Sequence, residues 1–316
     1  MQGKDISQTH ILVIGAGAVG GYYGAMLARQ GARVAIVCRS DAPVVRAAGY
    51  HIQSPQGDFV FHPEQVLTRP AEYTGHPDYL LLTVKVIDDL DRAELIRPVV
   101  GPDTVIVLLE NGIEIEAPIA QAFPDNEIIS ALAFIAVSRI APGHIRHQAY
   151  GYLNLGNYPR GLSPRAQALA QWFQAAGVAC TATEDVVTAR WQKCLWNAAF
   201  NPISVLAGGA STGQMLAEPA GVAVVRAAMD EVCATAAACG HPLPPQTVSK
   251  NLDETRAMPA YLTSMALDYL HGRPMEVEAI VGNAVRAAQR QDVAVPTLET
   301  LYGLMKITQA RLAAKL

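Results

Sequence analysis

The sequence predicts an α/β chain: a mostly parallel sheet covered on both faces by helices, followed by an all-α C-terminal domain. Three observations predict it. Short apolar runs alternate with helical stretches through the first half of the chain. A glycine-rich turn, Gly15-Ala16-Gly17-Ala18-Val19-Gly20, lies between the first apolar run and the first helical stretch. After about Glu184 strand patterns vanish, and Ala-rich helical stretches broken by Pro and Gly take over. Strand–helix alternation gives a parallel sheet with helices on both sides. The boundary is placed near residue 184, giving domains 1–183 and 184–316.

The elements follow in order. Ile11 to Ile14 is a continuous apolar run, the pattern of a strand buried on both faces. A helix from about Ala18 to Gln30 is closed by Gly31. Arg33 to Cys38 reads as a second strand, and Tyr50 to His62 as a hairpin turning at Pro55-Gln56-Gly57-Asp58. Tyr79 to Val84, Thr104 to Leu109 and Glu127 to Leu132 are further strands, with helix expected over Asp88 to Val99. Phe134 to Ser138 and Ile145 to Leu155 read as antiparallel additions about the turn Ala141-Pro142-Gly143. Ser163-Pro164 opens a helix as N-cap and first helical residue; it ends at Gly177, before a short strand at Val178 to Thr181. The remaining expectations are helices: Val186 to Asn201, Pro219 to Cys239, Pro245 to Leu270, Glu276 to Gln291 and Thr297 to Ala314.

Composition narrows the function classes. The chain has 316 residues, 51% hydrophobic and 16% charged, enough for two domains with their own cores. A formal net charge of −4 and the absence of a basic run give no reason to expect nucleic acid, so any bound phosphate must be met by a local site. The five cysteines show neither a CxxC pair nor zinc-like spacing, which argues against a metal site and for reduced thiols in the cytoplasm. The first ten residues are polar without an apolar leader core, and the longest apolar runs are too short to span a bilayer. A soluble intracellular protein is the expectation.

The glycine turn carries the first chemistry. Gly15 permits the tight turn, Gly17 lets backbone approach a pyrophosphate, and Gly20 lets helix pack on strand. The helix that starts at Ala18 and Val19 offers unpaired N–H groups to the phosphates. In this setting between a first strand and first helix, the motif marks a Rossmann-type dinucleotide-binding domain. An NAD-preferring site would carry Asp or Glu at the end of the second strand; this chain has Arg39 beside Ser40. A guanidinium suits the 2′-phosphate of NADP, although an ordinary surface arginine would look the same and Asp41 works against it. Lys85 and Asn111 end two further strands, where ligands of open α/β sheets gather, or are simply strand-end punctuation.

The second chemistry lies in KCLWNAAFN, Lys193 to Asn201. Lys193, Asn197 and Asn201 form a stripe on one helix face, near 0°, 40° and 80° at about 100° per residue. Trp196 and Phe200 flank it. Taken alone, such a stripe reads sooner as a solvated helix face than as a site. Cys194 points away from it and reads as packing. Pro202 is expected to end or kink the helix at Asn201.

Together these residues resemble a family. GAGAVG, Arg39, Thr83-Val84-Lys85, Glu110-Asn111-Gly112, KCLWNAAFNP, Thr263-Ser264-Met265 through Asp268, Gly272-Arg273 and Glu276 resemble the ketopantoate reductases (2-dehydropantoate 2-reductases) in order and spacing over nearly the whole chain. The resemblance implies a C-terminal domain like that of 6-phosphogluconate dehydrogenase and NADPH-dependent reduction of ketopantoate to (R)-pantoate on the route to pantothenate. It implies Lys193 as the general acid, Glu276 as the acid positioning it, and Asn197, Asn201 and Ser264 as substrate contacts. Asn111 and Lys85 would line the cofactor and substrate crevice, so that the stripe forms the proton-donating wall of an interdomain cleft. Two residues depart from relatives: Glu110 replaces a common Gln, and Tyr261 replaces an asparagine. The partner is a small 2-keto acid, and the Ala-rich C-terminal helices could pack in a homodimer. Two alternatives stay open: a dehydrogenase for another branched or aromatic 2-keto acid, and a non-catalytic NADP-binding sensor.

Overall fold

The computed structural model describes residues 5–313, which divide into two compact units. The first holds the chain up to Val84, Leu90–Glu110 and Glu116–Val186; the second holds Lys85–Asp89, Asn111–Ile115 and everything from Val187 on. Two short segments from the N-terminal half therefore belong with the helices that follow.

The first unit is built on one sheet: β1 (His10–Ile14), β2 (Arg33–Val37), β3 (Tyr50–Gln53), β4 (Phe59–Phe61), β5 (Gln65–Leu67), β6 (Tyr79–Leu82), β7 (Val105–Leu109), β8 (Ile128–Ala141), β9 (His144–Asn157) and β10 (Cys180–Ala182). The order is β4-β3-β9-β8-β7-β6-β1-β2-β5, with β10 beside β9. Pairing is parallel except for β3 with β4 and β8 with β9. The helices of this unit are α1 (Ala18–Arg29), α2 (Ala42–Ala48), α3 (Arg92–Ile96), α4 (Ala117–Ala122) and α5 (Pro164–Ala175).

The continuous apolar runs are explained by two cores, one on each face of the sheet. Ile11 and Val13 pack with Tyr23 and Met26 of α1 and Phe173 of α5. Leu12 and Ile14, pointing the other way, pack with Leu80, Leu82, Ile106 and Leu108 and with Ile96 and Ile119 of α3 and α4. With a side-chain period of two and both faces covered, every position of a central strand is buried.

The second unit is helical: α6 (Val186–Leu206), α7 (Thr212–Ala217), α8 (Pro219–Ala238), α9 (Thr247–Ala257), α10 (Ser264–Leu270), α11 (Asn283–Arg290) and α12 (Pro296–Ala313). A π-helical turn, Glu278–Gly282, leads into α11. Its core brings Leu195, Ala198 and Phe200 of α6 against Val225, Met229 and Val232 of α8 and Ala284 and Ala288 of α11. Glu231 of α8 accepts the Thr297 and Leu298 backbone N–H groups at 2.8 Å each, capping the first turn of α12 from outside the helix. Among the described residues no helix is long and apolar enough to cross a membrane.

Several expectations need correction. The helix expected to end or kink at Asn201 does not end there but runs on to Leu206 through Pro202. Proline removes one N–H from the helical ladder, but the buried face on both sides of it (Ala198, Ala199, Phe200, Val205) outweighs that loss. The single helix expected over Pro245 to Leu270 is two, α9 and α10, separated by a non-helical stretch that contains Pro259. The strands expected at Glu127 to Leu132 and Phe134 to Ser138 are one strand, β8, whose register against β9 shifts at three irregular points. Helix over Asp88 to Val99 shrinks to α3 and one 3₁₀ turn. The short elements α2, α4, α7 and β5 were not legible at all, and Ala314 lies outside the described residues.

Candidate active site

The glycine turn takes the conformation its sequence calls for. Gly15 has φ +88°, and a Cβ there would lie 2.7 Å from Val84 Cγ1. A Cβ on Gly20 would lie 2.3 Å from Thr83 Oγ1, so only glycine lets the helix sit this close to the end of β6. Above Gly17 the space is open: a Cβ there would meet nothing nearer than 3.8 Å. Gly17 caps the twelve-residue α1 without a side-chain bond, leaving the N–H groups that open the helix at Ala18, Val19 and Gly20 uncapped by any side chain. An open cradle over an uncapped helix N-terminus fits a dinucleotide pyrophosphate. Below the turn, the buried Tyr50 hydroxyl donates to the Ala16 carbonyl, a support no local sequence signal revealed.

Arg39 lies just beyond β2 and is exposed. Asp41, which the sequence set against it, is buried and accepts from Arg139 Nη1 at 2.6 Å and from the Ser40 hydroxyl at 3.2 Å. The negative charge of Glu110 is likewise answered, by Arg92 at 2.7 Å in a fully buried pair.

The second unit holds the polar centre. Lys193 Nζ donates to Asn111 Oδ1 at 2.9 Å, and Asn111 Nδ2 donates to Glu276 Oε2 at 3.3 Å. The other Glu276 oxygen accepts the Val86 backbone N–H at 3.1 Å. Burial draws the Lys193 ammonium down to a pKa of about 7, helped by the like charge of Arg190 and opposed by Glu276. Burial also raises the Glu276 pKa, against the bonds from Val86 and Asn111.

The loop that presents Asn111 is locked down. Gly112 has φ +102°, and a Cβ there would lie 2.5 Å from the Ala279 carbonyl. Ile113 N–H donates to that same carbonyl at 3.1 Å, Arg190 Nη1 to the Gly112 carbonyl at 2.9 Å, and Asn283 Nδ2 to the Ile113 carbonyl at 2.7 Å. Arg190 was missed in the sequence, although it stands one helical turn before Lys193 on the same face.

The rest of the stripe lies along α6. Asn197 is partly buried, and Asn201 is buried with neither side-chain polar atom hydrogen-bonded. Phe200, Trp196 and Tyr261 form a stack beside it, with ring centroids 4.8 and 5.9 Å apart. Ser264 is exposed as the first residue of α10. Lys85, expected to line the cofactor, is engaged by Asp268 at 2.5 Å and the Pro274 carbonyl at 2.8 Å. Lys85, Asn111, Lys193, Asn197, Asn201, Ser264 and Glu276 thus all fall in the second unit, and Gly15–Gly20 and Arg39 in the first. Cys194 is buried and donates to the Ile280 carbonyl, a packing residue. Among the described residues no cluster of His, Cys, Asp and Glu could hold a metal ion.

Residues 11–160 match the family described as ketopantoate reductase PanE/ApbA, and residues 185–309 match its C-terminal family. A 2-dehydropantoate 2-reductase of Nostoc sp. is 34% identical over 304 residues, 95% of each chain. The crystal structure of 2-dehydropantoate 2-reductase from Methylococcus capsulatus is 54% identical, with a TM-score of 0.90 over 96% of this chain and 97% of that one. The corresponding structure from Geobacter metallireducens is 34% identical, with a TM-score of 0.89 over 94% and 99%.

Proposed function

The chain belongs to the ketopantoate reductase family of oxidoreductases, and on that premise we propose that it reduces 2-dehydropantoate to (R)-pantoate with NADPH, with Lys193 as the proton donor. The observation that carries this reading is the bonded run from Lys193 through Asn111 to Glu276, with the lysine drawn to a pKa of about 7. An ammonium in that range holds its proton near neutral pH yet gives it up readily, as a general acid must. When bound, NADPH supplies the hydride that the ketone carbon receives.

Every other part is played by this chain. Lys193 protonates the ketone oxygen as negative charge develops there. Asn111 accepts from the ammonium and donates to Glu276, so its amide is fixed in one orientation; Val86 N–H fixes the carboxylate in turn. Asn201, an orphaned buried amide, costs stability unless a ligand completes its bonds, which supports it as a contact for the substrate's polar groups. Asn197 and Ser264 complete that set, Ser264 towards the carboxylate. The turn Gly15–Gly20 holds the pyrophosphate and Arg39 the 2′-phosphate. In this reading residues 1–183 bind the dinucleotide and residues 184–316 carry the acid and the substrate contacts. Pantoate formation would serve pantothenate synthesis.

A second reading has support of its own. The stack of Phe200, Trp196 and Tyr261 is an aromatic wall beside the stripe, which favours a bulkier or aromatic 2-keto acid. A sensor without chemistry is disfavoured, because sensing needs no proton donor. Steady-state reduction of a panel of 2-keto acids with NADPH and with NADH discriminates these readings. The first predicts the highest kcat/KM for 2-dehydropantoate with NADPH, by about tenfold or more over aromatic acids. Preference for a phenyl-bearing acid selects the second, and no turnover with any acid removes both.

A further inference from the structure

Arg139 sits near the end of β8 and reaches the segment just beyond β2, 98 residues earlier in the chain. Its Nη1 donates to Asp41 Oδ1 at 2.6 Å and to Ser40 Oγ at 2.7 Å, and Ser40 donates on to the same carboxylate oxygen. Asp41 is 2% exposed, and its second oxygen has no hydrogen-bond partner. The guanidinium is different: its side chain is 43% exposed, and its bonds to Asp41 and Ser40 both use Nη1. An arginine carries five N–H donors, so three take no part in these two bonds.

The position gives this cluster its meaning. The end of the second strand is where a dinucleotide-binding fold distinguishes the ribose 2′-hydroxyl from the 2′-phosphate. A free carboxylate there accepts from a hydroxyl and repels a phosphate. Asp41 is such a carboxylate, two residues from Arg39, but it is not free. Arg39, Asp41 and Arg139 together carry one net positive charge; without Arg139 they carry none.

We propose that Arg139 fixes the cofactor preference of this site: it masks Asp41 and turns its remaining donors, together with Arg39, towards a 2′-phosphate. The proposal rests on the dinucleotide-binding reading above and adds to it a residue outside the strand-end motif. Arg139 is a binding and masking residue, and it takes no part in the proton transfer.

The test is equilibrium binding of NADPH and of NADH, by quenching of protein fluorescence, to the wild type and to Arg139→Gln, Asp41→Asn and the double variant. Thermal melts check folding. Arg139→Gln should weaken NADPH by about tenfold or more, the scale of a lost charge-assisted bond. NADH binding should hold or tighten, because Asp41 is unmasked. Adding Asp41→Asn to Arg139→Gln should recover much of the NADPH affinity, which a merely structural role for Arg139 would not produce. Equal weakening of both dinucleotides by Arg139→Gln, or no change in either, overturns the proposal. If Arg139→Gln does not fold, Asp41→Asn alone decides: NADPH held or tightened agrees, and weakened NADPH contradicts. A wild type that binds neither dinucleotide defeats the underlying reading, whereas a wild type that binds NADPH while the variants fail these expectations defeats the proposal alone.

Discussion

Lys193→Ala is expected to lower kcat for 2-dehydropantoate reduction by about 10²- to 10⁴-fold, the usual contribution of a positioned acid. The NADPH dissociation constant should be unchanged, because the proposed reading gives Lys193 the ketone oxygen and gives the dinucleotide to the glycine turn and Arg39. The loss has two sources. In the proposed reading the cation that stabilises charge on the ketone oxygen is gone, and the Asn111 amide that accepted from it at 2.9 Å loses its donor. Lys193→Arg should not rescue activity. Arginine keeps the charge, but its pKa above about 12 leaves it unable to release a proton near neutrality. Steady-state kinetics beside equilibrium NADPH binding checks both statements, and a Lys193→Ala enzyme with wild-type kcat would sink the assignment of the acid.

The second large effect is on stability. Arg92→Ala is expected to cost about 3–5 kcal/mol, the range found when one partner of a buried ion pair is removed. Arg92 and Glu110 are both buried at 2.7 Å, so truncating the arginine removes the counter-charge of a buried carboxylate just beyond β7. Replacing both residues by methionine should recover most of the loss, since apolar groups of similar volume need no counter-charge. Urea unfolding is the measurement: the midpoint should fall for Arg92→Ala and return towards wild type in the double variant, with little change in slope. A single variant within about 1 kcal/mol of wild type would show that the pair contributes little.

Those two residues illustrate what the sequence could and could not reveal. β1, the turn Gly15–Gly20 and α1 were legible because their signals are local: an apolar run, then glycines at a fixed spacing, then a helical face. The stripe Lys193, Asn197, Asn201 was legible through helical periodicity, because all three lie within α6. What was hidden is long-range. Arg92 answers Glu110, Arg139 answers Asp41, and Tyr50 holds the Ala16 carbonyl; each joins residues whose pairing depends on the sheet order. The charge of Glu110 thus looked like a perturbation in the sequence and is a neutralised pair in the fold. Lys85 and Asn111 read as strand ends lining a cofactor and substrate crevice. The fold adds ties to Asp268, Lys193 and Glu276, partners far along the chain. Local patterning had no access to that.

The central claim is that Lys193 delivers the proton, and the most direct measurement is kcat/KM for 2-dehydropantoate against pH, with NADPH saturating. A lysine is protonated below its pKa, and reduction consumes that proton, so its contribution is full below the pKa and falls as pH rises through it. With Lys193 drawn to about 7, the account predicts a descending limb centred there. A profile that stays level up to the ordinary lysine range, about 10, would contradict it.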